Sequence, residues 1–413
     1  MTMDCTNGMN DAAEINSSVS KLSPVQTLTP KQMALVSDIV KFCDVHRHDD
    51  HAVLVIEGDA GTGKSLVLNT AFTTIQMESR QNRGSPLYGT QNILLVNHPE
   101  MIKLYRNISA TVPALRRKDY ERPTSFINTM HKSGGREDIV FVDEAHLLLT
   151  RSDPYNRFRQ NNQLEEIMKL ARIVVIVFDP RQTLKFKGYW DQDRLDALLG
   201  SIPREVVSLT DQFRVRARPD VMAWVRNFCD GKLTALPAKQ DFDFRIYDDA
   251  ETMYQDICRK NRQYGLCRIL STYDYPYTLN GQDHFIEAGR FRLRWDRTQP
   301  GHPLPWAERE DSVDEVGSVY TVQGFDLNYA GVILGPSVGY DPKNGCITLD
   351  PSRYEDGAAF AGRDHMKDAE AAKRHVMFNA IFVLMTRGIR GLYLYAADPA
   401  LRIRLRELCN TRH

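Results

Sequence analysis

Residues 58–65 read Gly-Asp-Ala-Gly-Thr-Gly-Lys-Ser, directly after the apolar run Val53-Leu54-Val55-Ile56 and directly ahead of Leu66-Val67-Leu68. An apolar run, a glycine loop and a second apolar stretch dictate a buried parallel strand, a tight turn and a helix. The glycines at 58, 61 and 63 let the backbone curl so that successive N–H groups converge on one point, while the helix behind them adds its N-terminal partial positive charge. This is a P-loop. Gly58, Asp59, Ala60, Gly61, Thr62 and Gly63 are expected to cradle the β- and γ-phosphates of ATP, Lys64 to reach them, and Ser65 to hold Mg²⁺.

A second strand supplies what such a loop needs. Ile139-Val140-Phe141-Val142 is a continuous apolar run that ends in Asp143-Glu144-Ala145-His146. Two carboxylates therefore sit at the carboxyl end of a buried strand, where open α/β sheets place their ligands. Asp143 is expected to hold Mg²⁺, directly or through water, and Glu144 to polarise an attacking water, which favours hydrolysis over transfer to an organic acceptor. A surface acidic pair capping a helix is the plainer alternative.

At 413 residues with 42% hydrophobic content, the chain has room for two cores of about 100 to 200 residues. No apolar run approaches the ~20 residues of a membrane span, so no membrane association and a cytoplasmic location are expected. Seven cysteines, at 5, 43, 229, 258, 267, 346 and 409, lack paired metal-ligand spacing and suit reduced thiols. Lys plus Arg and Asp plus Glu both number 53, which excludes a globally basic coat for nucleic acid and leaves room for a local basic channel.

The Ser-, Asn-, Asp- and Thr-rich residues 1–25 are expected to be disordered. Thr29 and Pro30 then open a helix with Met33, Leu35, Val36, Ile39, Val40 and Phe42 on its apolar face. The tract His46-Arg47-His48-Asp49-Asp50-His51 reads as a solvated linker or a metal-ligand cluster. Ile93–Val96 and Ile173–Phe178 add strands, and a first α/β domain is expected over 26–203. Strand patterns at Val206–Leu209, Phe244–Tyr247, Arg268–Ser271, Ala330–Leu334 and Leu392–Tyr395, with helices over 249–263 and 367–385, predict a second α/β domain over 204–413, decorated by inserts near 278–312 and 337–366. Arg290, Arg292 and Arg294 alternate with apolar residues, either facing a phosphate backbone or forming a solvated strand face.

The order of small motifs from about residue 28 to 398 resembles superfamily 1 helicases, and specifically the schlafen group 3-like DNA/RNA helicase family. Gln32 in Leu28-Thr29-Pro30-Lys31-Gln32 resembles the adenine-reading glutamine, and Thr129-Met130-His131 the T-x-H element that touches nucleic acid. Phe178-Asp179-Pro180-Arg181-Gln182 resembles motif III, whose glutamine senses the γ-phosphate, and Asp211-Gln212-Phe213-Arg214 resembles motif IV. The run Glu315–Asp326 is similar to the motif that carries Gln323 to nucleic acid and Gly324 and Asp326 to the nucleotide, although many relatives have glutamate where Asp326 stands. Leu384-Met385-Thr386-Arg387-Gly388 is similar to the terminal motif that offers an arginine to the nucleotide, which separates the chain from the superfamily 2 proteins that share its Asp-Glu-Ala-His string.

The resemblance implies two RecA-like P-loop NTPase domains, each a parallel sheet flanked by helices, with ATP and Mg²⁺ held between the lobes and single-stranded DNA or RNA across them. Arg214 and Arg387 would offset charge on the γ-phosphate, a task that suits a rigid guanidinium fork, and Gln182 would report whether that phosphate is present. Inserted subdomains of the processive repair helicases have no room in this length. Two other readings stay open: a nucleotide-switched regulatory ATPase without helicase or translocase activity, and a P-loop kinase.

Overall fold

The computed structural model describes residues 28–58, 62–179, 182–188, 190, 192–200, 202–209, 219–237, 242–277, 282–296, 302, 304–361 and 368–410. The expectation for residues 1–25 lies outside these. The described chain forms two compact units, the first ending at Gln212 and the second starting at Phe213.

In chain order the first unit contains α1 (Pro30–Val45), β1 (Ala52–Gly58), α2 (Lys64–Gln81), β2 (Asn92–Val96), α3 (Pro99–Ile108), β3 (Tyr120–Glu121), α4 (Pro123–Ser133), β4 (Glu137–Asp143), α5 (Gln163–Lys169), β5 (Ala171–Phe178), α6 (Gln192–Leu199) and β6 (Arg204–Leu209). Its sheet runs β3-β2-β4-β5-β1-β6 with every pairing parallel. Parallel pairing forces a crossover after each strand, so helices cover both faces. Phe126 and Ile127 of α4, Leu164 and Ile167 of α5 and Leu195 of α6 join Val53, Val55, Val140 and Val174 in one core. Val67, Phe72 and Ile75 of α2 are buried as well, with the Phe72 ring edge-on to Phe141 at 5.4 Å. α1 starts where the sequence indicates: the Thr29 side chain accepts from the Gln32 N–H, the Gln32 side chain accepts from the Thr29 N–H at 3.0 Å, and Pro30 opens the first turn.

The second unit contains α7 (Pro219–Cys229), β7 (Asp243–Tyr247), α8 (Ala250–Tyr264), β8 (Cys267–Ser271), β9 (Phe285–Ala288), β10 (Phe291–Trp295), β11 (Glu315–Gly317), α9 (Val319–Val322), β12 (Leu327–Leu334), β13 (Val338–Asp341), β14 (Cys346–Leu349), α10 (Ala369–Met385), β15 (Gly388–Ala396) and α11 (Pro399–Asn410). The main sheet is β7-β15-β12-β8-β11-β10-β9, parallel throughout except for the β9–β10 hairpin at its edge. All eight residues of β12 are buried, as a central strand covered on both faces requires. The expected fold class is present: two α/β units, each built on a parallel sheet flanked by helices.

Two assignments differ from the sequence reading. The strand expected to open the second domain, Val206–Leu209, is the end of β6 and pairs with β1 of the first sheet, Val55 opposite Val206 and Gly58 opposite Leu209. Its alternation suits either sheet, and only long-range pairing selects one. The segment 278–312 is more than a decoration, because β9 and β10 extend the second sheet. The segment 337–366 does project a separate two-stranded hairpin, β13–β14.

Candidate functional site

In the first sheet β5 lies between β1 and β4, so the carboxyl ends of these strands deliver Gly58, Asp179 and Asp143 side by side. Gly58 is required by close approach, since a Cβ there would lie 2.5 Å from the Leu209 carbonyl oxygen. Gly63 has a left-handed φ of +83°, and a Cβ on it would meet Gln32 Nε2 at 2.4 Å. The amide of Gln32 therefore packs directly on the glycine loop, while its Oε1 is engaged with the Thr29 N–H. Asp59, Ala60 and Gly61 lie outside the described residues, and Thr62 is buried.

α2 begins at Lys64, whose ammonium donates to the Gly58 carbonyl at 2.6 Å and lies 3.6 Å from Asp179 Oδ2. That same Oδ2 accepts from Gln182 Nε2 at 2.7 Å. Lys64 and Gln182 thus share one buried carboxylate. Asp179 had no assigned role in the sequence reading, although its place just after β5 follows the rule that parallel sheets carry function at their carboxyl edge.

Ser65 Oγ donates to Asp143 Oδ1 at 3.0 Å, and the Glu144 N–H donates to the same oxygen at 3.0 Å. Tyr105 of α3 donates its hydroxyl to Asp143 Oδ2 at 2.6 Å, and its ring stacks on Tyr120 at 5.4 Å. Burial pushes the Asp143 carboxyl upward, Glu144 pushes it the same way, and the bonds from Tyr105, Ser65 and the Glu144 N–H oppose the shift. Burial, with Asp143 beside it, holds the Tyr105 phenol well above its ordinary value, so it stays a donor. No periodicity or spacing marks Tyr105, which reads in the sequence as one more apolar position on a helix.

Glu144 adopts a left-handed φ of 52°, unusual for a residue with a side chain, and its Oε2 lies 2.8 Å from Nε2 of the fully buried His146. The turn after β4 sets the direction of the Glu144 carboxylate, with the His146 ring next to it. A hydroxyl and a carboxylate oxygen at 3.0 Å form the hard-oxygen donor pair that suits Mg²⁺ together with phosphate oxygens and water.

The other described candidate residues divide between the two units. Thr129 and His131 are exposed on α4, with His131 Nε2 2.8 Å from Glu166 Oε2. In the second unit, Ser318 caps the short α9, Gln323 follows it and is buried, and Gly324 turns the chain at a φ of 83° towards Asp326. Arg387 is fully buried between α10 and β15, where its Nε donates to the Val383 carbonyl at 2.9 Å and its Nη1 to the Phe325 carbonyl at 3.4 Å. Arg214 lies outside the described residues. Arg290, Arg292 and Arg294 pair with Asp249, Glu287 and Asp283 at 3.3, 2.9 and 3.0 Å. Local carboxylates thus already balance that strand face. No helix among the described residues is long and apolar enough to cross a membrane.

The family described as "Schlafen group 3, DNA/RNA helicase domain" matches residues 51–398. The uncharacterized protein YPL245W of Saccharomyces cerevisiae (strain ATCC 204508 / S288c) is 44% identical over 418 residues, covering 94% of this chain and 92% of that protein. Among solved structures, the Pif1 helicase from Candida albicans aligns at a TM-score of 0.38 and 9% identity, over 94% of this chain and 100% of that one. AMPPCP-bound DnaA from Aquifex aeolicus aligns at a TM-score of 0.25 and 14% identity, over 46% of this chain and 49% of that one.

Proposed function

Because the chain belongs to the schlafen group 3 DNA/RNA helicase domain family, we propose that it is an ATP-hydrolysing, superfamily 1 helicase-like motor acting on single-stranded DNA or RNA. The observation that carries this reading is the Ser65–Asp143 contact at 3.0 Å with Glu144 beside it, opposite the Lys64–Asp179–Gln182 chain. Gly58, Gly63 and the N-terminus of α2 would hold the phosphates, and Lys64, which donates to the Gly58 carbonyl, would track them. Ser65 and Asp143 would hold Mg²⁺, which when bound neutralises phosphate charge. Glu144, beside His146, accepts the proton of the attacking water, and Gln182 reports the γ-phosphate. The roles of Gln32, Gly324 and Asp326 towards the nucleoside, of Arg214 and Arg387 towards the γ-phosphate, and of Thr129, His131 and Gln323 towards the polymer are part of the same proposal. So is a cytoplasmic location, with which six free cysteines among the described residues agree.

The test is ATP turnover with and without single-stranded DNA and RNA. Lys64→Ala is expected to abolish hydrolysis, and Glu144→Gln to keep ATP binding while stopping turnover. A single strand is expected to raise the wild-type rate. Near-normal turnover in Glu144→Gln removes that residue as the base. A flat response to both polymers, with no binding of either, leaves a nucleotide-switched regulatory ATPase.

A further inference from the structure

The segment Arg151-Ser152-Asp153-Pro154-Tyr155-Asn156-Arg157-Phe158-Arg159, between β4 and α5, belongs to none of the motifs above. It is a built loop. Asp153 and Phe158 exchange backbone hydrogen bonds at 2.8 and 3.1 Å, Pro154–Asn156 forms a 3₁₀ turn, and Phe158 is buried in the core of the first unit. Arg157 takes a left-handed φ of 61°, and its carbonyl accepts from Asn128 Nδ2 of α4 at 3.1 Å. The loop is therefore pinned to the helix that carries Thr129, one residue further on.

What the loop presents is out of keeping with a plain connection. Tyr155 is 93% exposed, although a tyrosine ring gains most from contact on its faces. Arg157 and Arg159 are exposed, and neither side chain has a hydrogen-bond or ion-pair partner among the described residues. The acid within the loop is turned inward: Asp153 is buried and accepts from Asn156 Nδ2 at 2.7 Å. Of the exposed residues nearest the ring in sequence, Ser152 and Asn156 are polar and Pro154 alone is apolar, less than the packed apolar surround a protein-binding hot spot needs.

We propose that this loop is a single-stranded nucleic-acid contact, in which Tyr155 stacks on a base while Arg157 and Arg159 neutralise adjacent phosphates. One flat ring with cations two and four residues along, unpaired among the described residues, matches the alternation of base and phosphate in a single strand. The pinned backbone means little ordering accompanies binding. The inference rests on the proposed action on nucleic acid and adds a site to it.

The experiment measures anisotropy of labelled single-stranded oligo-dT and oligo-U with the full chain at several salt concentrations. Tyr155→Ala is expected to weaken binding about 5- to 150-fold, the range for loss of one base–aromatic stack, and Tyr155→Phe to restore it. The Arg157→Ala/Arg159→Ala double variant is expected to flatten the log Kd against log salt slope by about 1.4, at about 0.7 per phosphate contact on a single strand. Melting temperature and nucleotide-only ATPase should match wild type, since these side chains touch neither the core nor the P-loop. Wild-type affinity and salt slope in both variants, with oligo-dT and oligo-U alike, overturn this site while leaving the motor reading intact. Absence of binding by the wild-type chain overturns both.

Discussion

Tyr105 shows how one side chain can govern a site without facing it. Its hydroxyl holds Asp143 Oδ2 while Ser65 takes Oδ1, so both carboxylate oxygens have fixed directions. Loss of a hydrogen bond to a buried carboxylate costs about 1 to 3 kcal/mol, and outer partners of metal-binding carboxylates typically matter 10- to 100-fold in metal affinity. Tyr105→Phe is therefore expected to raise the Mg²⁺ concentration for half-maximal ATPase by about tenfold or more. The phenyl ring keeps its stacking on Tyr120, so the fold should persist. An unchanged Mg²⁺ dependence would reduce the Tyr105–Asp143 bond to packing.

At the level of elements, the β10–β11–α9 edge of the second sheet holds an unusual acid. Asp296 follows β10 at a left-handed φ of 47°, is 3% exposed, and leaves Oδ1 without a hydrogen-bond partner among the described residues. Burial pushes its carboxyl up to about 7, Asp356 adds to the rise, and bonds from Ser318 and Tyr273 oppose it. A carboxyl whose folded pKa lies above its unfolded one binds protons more tightly when folded. Its contribution is thus fully present below pH of about 3.8 and is lost as pH rises through about 7. Asp296→Asn cannot titrate. Urea unfolding should show the variant gaining about 2 to 4 kcal/mol on wild type between pH 4 and pH 8, and a pH-independent difference would refute the buried-acid account.

Across the two units, the described residues of the proposed phosphate site from Gln32 to Gln182 all belong to the first, because its sheet alone brings β1, β5 and β4 together. β6 belongs there as well, and its Leu209 carbonyl closes against Gly58. A fragment spanning 28–212 should therefore bind Mg·ATP, with thermal stabilisation equivalent to about 2.7 kcal/mol at a hundredfold excess over Kd. A fragment ending at 203 lacks β6 and should not. Equal nucleotide-induced shifts in both fragments would show that the β6 pairing is dispensable.

Much of the site is legible in the amino-acid sequence, for a local reason. A P-loop is a strand, a glycine turn and a helix in sequence continuity, so Gly58 to Ser65 declares itself, as do Asp143 and Glu144 at the end of an apolar run. Helix starts such as Thr29-Pro30 are equally local. Other features rest on contacts between residues far apart along the chain. The sheet that Val206–Leu209 joins depends on pairing with β1, far earlier in the chain, and a strand's own period of two is blind to its partner. Tyr105 became part of the site only when α3, the link from β2 to β3, brought its hydroxyl to Asp143 at the end of the neighbouring β4, and Asp179 linked Lys64 to Gln182 only when β5 lay beside β1. The sequence determined by itself that a glycine turn between a strand and a helix, and two carboxylates at the end of another strand, exist; the tertiary structure decided which side chains hold them in place, because hydrogen bonds across a sheet edge join elements whose proximity no local pattern encodes.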